Sequence, residues 1–134
     1  MRFEPALQAG DKLTFGQLRG IFQCPNAGGV LYTKKYNTLV IVSNHTKGIA
    51  DDKWVGNILH YTGMGMNGDQ ILDGNHNKIL SESNTNGVTV HLFEVYVQHE
   101  YIYRGIVKLV QEPYQEFRKD QEWNIRRVWV FPVR

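Results

Sequence analysis

The 134-residue sequence has one cysteine, Cys24, and only four prolines. It has no apolar run near the roughly 18–20 residues that cross a bilayer. A lone cysteine excludes a disulfide framework and a thiolate cluster for zinc. The N-terminal stretch MRFEPALQAGDK lacks the apolar core of a signal peptide, so the expected location is cytoplasmic, with no membrane partner. Asn44-His45-Thr46 matches a glycosylation sequon and is read as coincidence in that compartment. Strong charge of either sign is also missing. Fifteen basic and 13 acidic residues leave a formal charge of +2, which neither demands nor excludes a nucleic-acid partner.

Catalytic signatures are missing as well. There is no HExxH, GxSxG, phosphate-binding P-loop or dinucleotide GxGxxG pattern. The five histidines show no recurrent metal spacing. GNHNK superficially resembles a His-Asn nuclease motif but lacks the strand-and-helix frame and partner histidines. No metal, cofactor or catalytic residue is expected.

What is present is the composition of a globular domain, 42% hydrophobic and 21% charged, short enough for residues 1–134 to form one domain. Phe15, Leu18, Ile21 and Phe22 recur at helical spacing after Thr14, predicting a helix over 15–22. GGVLY and NTLVIVS read as strands around the turn TKKYN, NILHYT as another, and NKILSES as a short helix. VTVHLFEVYV changes phase midway, which predicts a bulge or strong curvature. The turn QHE leads to YIYRGIVKLV, a polar excursion QEPYQEFRKDQEW follows, and NIRRVWVFPV closes the chain as a last strand. The sum is a strand-dominated α+β domain with a curved sheet closing toward a barrel.

One stretch stands out: DDKWVGNILHYTGMGMNGD, residues 51–69, with paired acids and Tyr-Thr-Gly at the two ends of a strand. A carboxylate that accepts hydrogen bonds, an aromatic face and backbone amides in a glycine-rich turn can together hold one planar base. A carboxylate suits the exocyclic amine of cytosine in particular. On spacing alone two readings stand. Asp52 and Tyr61 converge on a pocket, or Asp52 caps a turn and Tyr61 is a core aromatic.

DDKWVGNILHYTGMG resembles the signature of the SRA (SET- and RING-associated, or YDG) domain family, which keeps the same spacing from the second acid to the tyrosine of Tyr-Thr-Gly. AGGV at 27–30, TLVIV at 38–42, NKILSESNTNG, YIYRGIVKLV and RRVWVF resemble the family's flanking elements, so the likeness covers about residues 10–131. YTGMGMNGDQILDGN and HLFE are most similar to SRA-like modules of bacterial McrA-type, HNH-linked restriction enzymes.

The resemblance implies a PUA-like fold: a strongly curved mixed β-sheet or partial barrel with one or two short helices. It implies a non-catalytic module that flips 5-methylcytosine or 5-hydroxymethylcytosine out of duplex DNA, within a modification-dependent restriction system. Asp52 would bond the cytosine amine, Tyr61 would stack on the base, and the Thr62 backbone would help hold it, with Asp51 as a second acid. Where the eukaryotic pattern has an aromatic, this chain has Ile49, so Trp54 is a candidate to supply the second stacking face. Asn67 and Asn75 would touch the duplex from the 64–77 loop, and Lys47, Lys53 and Lys78 would contact phosphates. A linked or partner HNH nuclease is the expected companion. The alternative is a related reader of modified RNA or of another modified base.

Overall fold

The computed structural model describes residues 3–24, 30–46, 52–63, 69–70, 72, 76–119 and 123–134. The first strand, β1 (Lys12–Leu13), leads into helix α1 (Phe15–Phe22). Thr14 and Gln17 exchange hydrogen bonds across the helix start as a capping box, and Gln23 ends the helix in the left-handed region. The helix therefore occupies the span that its apolar spacing predicts.

Strands β2 (Val30–Thr33), β3 (Thr38–Asn44), β6 (Thr89–Val97) and β7 (Glu100–Val107) join β1 in a five-stranded sheet ordered β1-β7-β6-β3-β2. Only the β3–β6 pairing is parallel; the others are antiparallel. The phase change in β6 appears as register shifts at Leu92/Phe93 and Glu94/Val97. Leu92 packs in one apolar cluster and Phe93 in another, as ordinary strand alternation places neighbours, and the residue left unpaired at the first shift is Arg104 of β7. A second sheet, ordered β4-β5-β9-β8, is built from β4 (Lys53–Val55), β5 (Ile58–Thr62), β8 (Tyr114–Lys119) and β9 (Ile125–Val133). A short helix, α2 (Asn77–Ser81), follows β5 in the chain.

The five-stranded sheet is covered on both faces. On one side α1 packs Leu18 and Phe22 against Leu31, Val40, Phe93 and Tyr103. On the other, Val30, Leu39, Ile41, Val90 and Leu92 meet Leu59, Tyr61, Phe131 and Val133 of the second sheet. Burial on both faces explains why VLY and LVIV read as continuous apolar runs rather than alternating ones.

This arrangement corrects the expectation of a strongly curved sheet closing into a partial barrel. Among the described residues no sheet is closed or strongly curled. The strands divide into two separate ladders that stack face to face, and the register shifts between β6 and β7 do not bend the sheet round on itself. Two strands also lie where none was expected. β4 forms a hairpin with β5 through Gly56, which has a positive φ of 61°. β8 falls inside the polar excursion, and its alternating half-buried and exposed residues mark a strand with one wet face.

Candidate nucleic-acid interface

The Asp52 carboxylate lies immediately before β4, between the two sheets. Its Oδ1 accepts from the Thr62 amide at 2.6 Å and its Oδ2 from the Ser43 hydroxyl at 2.6 Å. Ser43 comes from β3 and Thr62 from the end of β5, so one carboxylate ties the five-stranded sheet to the four-stranded one. Burial raises the Asp52 pKa, and the hydrogen bonds from Ser43 and Thr62 only partly oppose that rise.

Tyr61 lies close enough for the Asp52 charge to act on it. Burial first, and that charge second, push its hydroxyl well above the usual tyrosine range, against a hydrogen bond with the Val42 backbone. Its ring is only 2% exposed and belongs to the core shared by the sheets. Thr62 faces the opposite side of β5, where its Oγ1 accepts from Arg118 Nη1 at 2.6 Å. Arg118 in turn holds Glu116 through Nε and Nη2, at 3.0 and 2.8 Å. Beside this pair an open cleft of about 400 Å³ is lined by Lys53, Val55, His60, Tyr114, Glu116, Phe117 and Arg118.

The glycine of Tyr-Thr-Gly has a packing role. A Cβ on Gly63 would sit 2.6 Å from Asn77 Oδ1 and 2.7 Å from Phe131 Cε1, so α2 can approach the strand only over a bare backbone. Beyond it, Gln70 binds Gly63 and Trp129, and Asp69 accepts from the Arg127 amide at 2.7 Å. These contacts tie Asp69 and Gln70 to β9.

Linked to Asp52 through Ser43 and His45 stands a buried carboxylate, Glu94 of β6, only 2% exposed. Its Oε2 accepts from His45 Nε2 at 2.9 Å, Trp54 Nε1 at 3.0 Å and the Tyr96 hydroxyl at 2.8 Å. Arg104 Nε reaches its Oε1 at 2.8 Å. Burial acts to raise its pKa, but the bonds from Trp54, Tyr96, His45 and Arg104 prevail and hold it below the usual glutamate value. His45 stacks on Tyr96, with ring centroids 4.4 Å apart, and its Nε2 is also 3.2 Å from Ser43 Oγ.

Of the residues singled out from the sequence, Asp52, Tyr61 and Thr62 are brought together. Trp54 is 42% exposed, and its indole nitrogen is turned onto Glu94 rather than Asp52. Lys53 and Lys78 are exposed, on β4 and α2. Lys47, Ile49, Asp51, Asn67 and Asn75 lie outside the described residues. Sequence reading missed Ser43, His45, Glu94, Arg104 and Arg118. A signal was available for two of them. Ser43 and Glu94 are polar residues set inside otherwise apolar strands, and such residues are buried only when partnered. Among the described residues no group of three histidine, cysteine or acidic side chains could hold a metal ion, and no helix is long and apolar enough to cross a membrane.

Residues 17–134 match the family described as ScoMcrA-like, SRA domain. The chain belongs to that SRA family. A structure of the sulfur binding and SRA domains of ScoMcrA complexed with phosphorothioated DNA superposes with a TM-score of 0.78 at 16% identity, over 95% of this chain and 39% of that one. The type IV phosphorothioation-dependent restriction endonuclease ScoMcrA gives 0.79 at 16% identity, over 96% and 26%. The chain thus spans well under half of the ScoMcrA chains it resembles. The SUVH5 SRA complex with hemi-methylated CG DNA gives 0.71 at 25% identity, over 100% of this chain and 92% of that one. No curated protein sequence matches the chain.

Proposed function

We propose that this SRA module binds duplex DNA carrying 5-methylcytosine or 5-hydroxymethylcytosine and holds the flipped base at Asp52. The observation that carries the reading is the Asp52 carboxylate, a half-buried acceptor fixed by Ser43 and Thr62 at the junction of two sheets. Ser43 and the amide and side chain of Thr62 donate to it, which leaves it one acceptor site for an exocyclic amine. Two related complexes support the choice of ligand: SUVH5 SRA domains hold hemi-methylated and fully hydroxymethylated CG DNA.

Thr62 holds the pocket edge, and Asp51 is the second acid. Tyr61 is the stacking ring, which requires its neighbours to move aside, because the ring is sealed in the core. Trp54 offers a partly open face as the second ring, with Ile49 beside the base. Lys47, Lys53 and Lys78 meet phosphates, and Asn67 and Asn75 touch the duplex. Flipping costs a few kcal/mol and stacking returns about 1–3 kcal/mol per base, so phosphate contacts supply the remaining, salt-dependent share. The setting is a cytoplasmic modification-dependent restriction system in which a linked or partner nuclease domain cuts.

A second reading follows from the ScoMcrA structures, one of which contains phosphorothioated DNA. There the mark is on the backbone and would not need Asp52. A binding panel at one stated salt concentration separates the two. Plain, 5-methylcytosine, 5-hydroxymethylcytosine, glucosylated and phosphorothioated duplexes are compared, with an RNA competitor. Preference for a base-modified duplex that is lost in Asp52→Ala supports the base pocket. Preference for the phosphorothioate that survives Asp52→Ala overturns it, and preference for single-stranded RNA points to an RNA reader.

A further inference from the structure

Asp52 is reached from Glu94 by an unbroken chain of hydrogen bonds whose direction is set at one end. Glu94 accepts from the Trp54 indole, the Tyr96 hydroxyl and the Arg104 guanidinium, and a carboxylate in that position has no proton to give. The ring nitrogen facing it, His45 Nε2, must therefore carry a hydrogen. The same nitrogen points at Ser43 Oγ, 3.2 Å away. Ser43 has a single hydroxyl hydrogen, and it lies on Asp52 Oδ2 at 2.6 Å, so Ser43 accepts from His45 and donates to Asp52. The Thr62 amide covers the other oxygen. Every step delivers a donor toward Asp52 and none asks Asp52 to donate.

We propose that Glu94 and His45 are positioning residues that set the hydrogen-bond polarity of the reading site. By fixing Ser43 as a donor, they keep Asp52 an obligate acceptor and so make the site select a base with an exocyclic amine over one with a carbonyl at the same position. The inference rests on Asp52 being the base-reading group. Its ligand class is the 4-amino pyrimidine, against the 4-oxo pyrimidine of the same shape. Thymine is the sharpest competitor, because it differs from 5-methylcytosine only in presenting O4 and N3–H where cytosine has N4–H₂ and N3. An amide at position 94 breaks the polarity. Glu94→Gln can turn an N–H toward His45, which admits the other ring tautomer, leaves Ser43 to donate to the ring, and frees Asp52 to carry a proton toward a carbonyl.

The test compares 5-methylcytosine opposite adenine with thymine opposite guanine in otherwise identical duplexes, so that both targets start in a mismatch with a similar flipping cost. The natural sequence is expected to favour 5-methylcytosine by about tenfold or more, the discrimination of one well-made base contact. Glu94→Gln and His45→Ala are expected to reduce that ratio to less than about threefold, and His45→Gln, whose side-chain N–H groups can donate to both Glu94 and Ser43, to restore it. His45 is the partly exposed member, so His45→Ala decides the matter if Glu94→Gln fails to fold. An unchanged ratio in His45→Ala, or a loss that His45→Gln does not restore, overturns the relay. Asp52→Asn is measured alongside. If it changes neither the modified-over-plain preference nor the amine-over-carbonyl ratio, the pocket assignment itself falls. If it abolishes both while the His45 variants change nothing, only the relay falls.

Discussion

Asp52, half-buried, and Glu94, buried, are two carboxylates in one hydrogen-bond chain, and their surroundings shift them in opposite directions. Glu94 receives an arginine, an indole, a phenol and an imidazole, which outweigh the cost of burial and hold its pKa down. Asp52 receives a serine hydroxyl and the Thr62 amide and side chain, which do not, and its pKa is raised. Glu94 is saturated and structural. Asp52 is under-compensated, and a ligand that brings one more donor would relieve it. Among groups of equal chemistry, the one whose burial is least offset is the one shaped for a missing partner.

Three substitutions would break or sharpen that contrast. The largest effect is expected from Tyr61→Ala, which empties the core behind Asp52 and should cost about 3–5 kcal/mol in denaturant unfolding, the range for deleting a buried ring. Its binding would then be uninterpretable, whereas Tyr61→Phe keeps the ring and tests only the hydroxyl. Glu94→Ala comes next, at about 1.5–3 kcal/mol, because it removes the charged acceptor that four side chains share. That contribution has a pH signature. The depressed glutamate stabilises the fold above its ordinary value of 4.5, and the benefit disappears as pH falls through its lower folded value, so wild type and variant converge on acidification.

Asp52→Asn has the smallest effect on stability and the opposite pH trend. An acid raised above 3.8 destabilises the fold once ionised. Asparagine removes that cost but turns an N–H toward one of the two donors, so the variant should melt within about 1 kcal/mol of wild type, comparing best near neutral pH and losing ground as pH falls through the raised value. A marked loss of stability in Asp52→Asn would show that Asp52 is a structural group like Glu94 and remove the contrast.

Much of this was legible in the sequence where periodicity and burial agree. The span of α1, the β2–β3 hairpin and the bulge in β6 follow directly from apolar spacing. The approach of Asp52 to the Tyr61–Thr62 end of β5 was left open by their spacing alone, because the β4–β5 hairpin through Gly56 that folds one onto the other was not read from the sequence. The layer arrangement was not legible either. A strand buried on both faces carries no alternation to say which neighbour it meets, so open stacked sheets and a curled one look alike in LVIV and HLFE. Nor was the Glu94 chain visible, since His45, Trp54, Glu94 and Arg104 come from four strands or their ends and meet only through sheet pairing.

The parallel pairing of β3 with β6 has a consequence for how the protein comes to exist. Residues 38–44 must find 89–95 before either can be buried, and everything from Asp52 through α2 lies in the loop that this encounter closes. β5 further waits for β9 at the far end of the chain. Such non-local closure is slow, because the entropy of the loop is lost before most contacts form. On a ribosome, the pocket would therefore be among the last parts to appear, assembled only after the final strand has emerged.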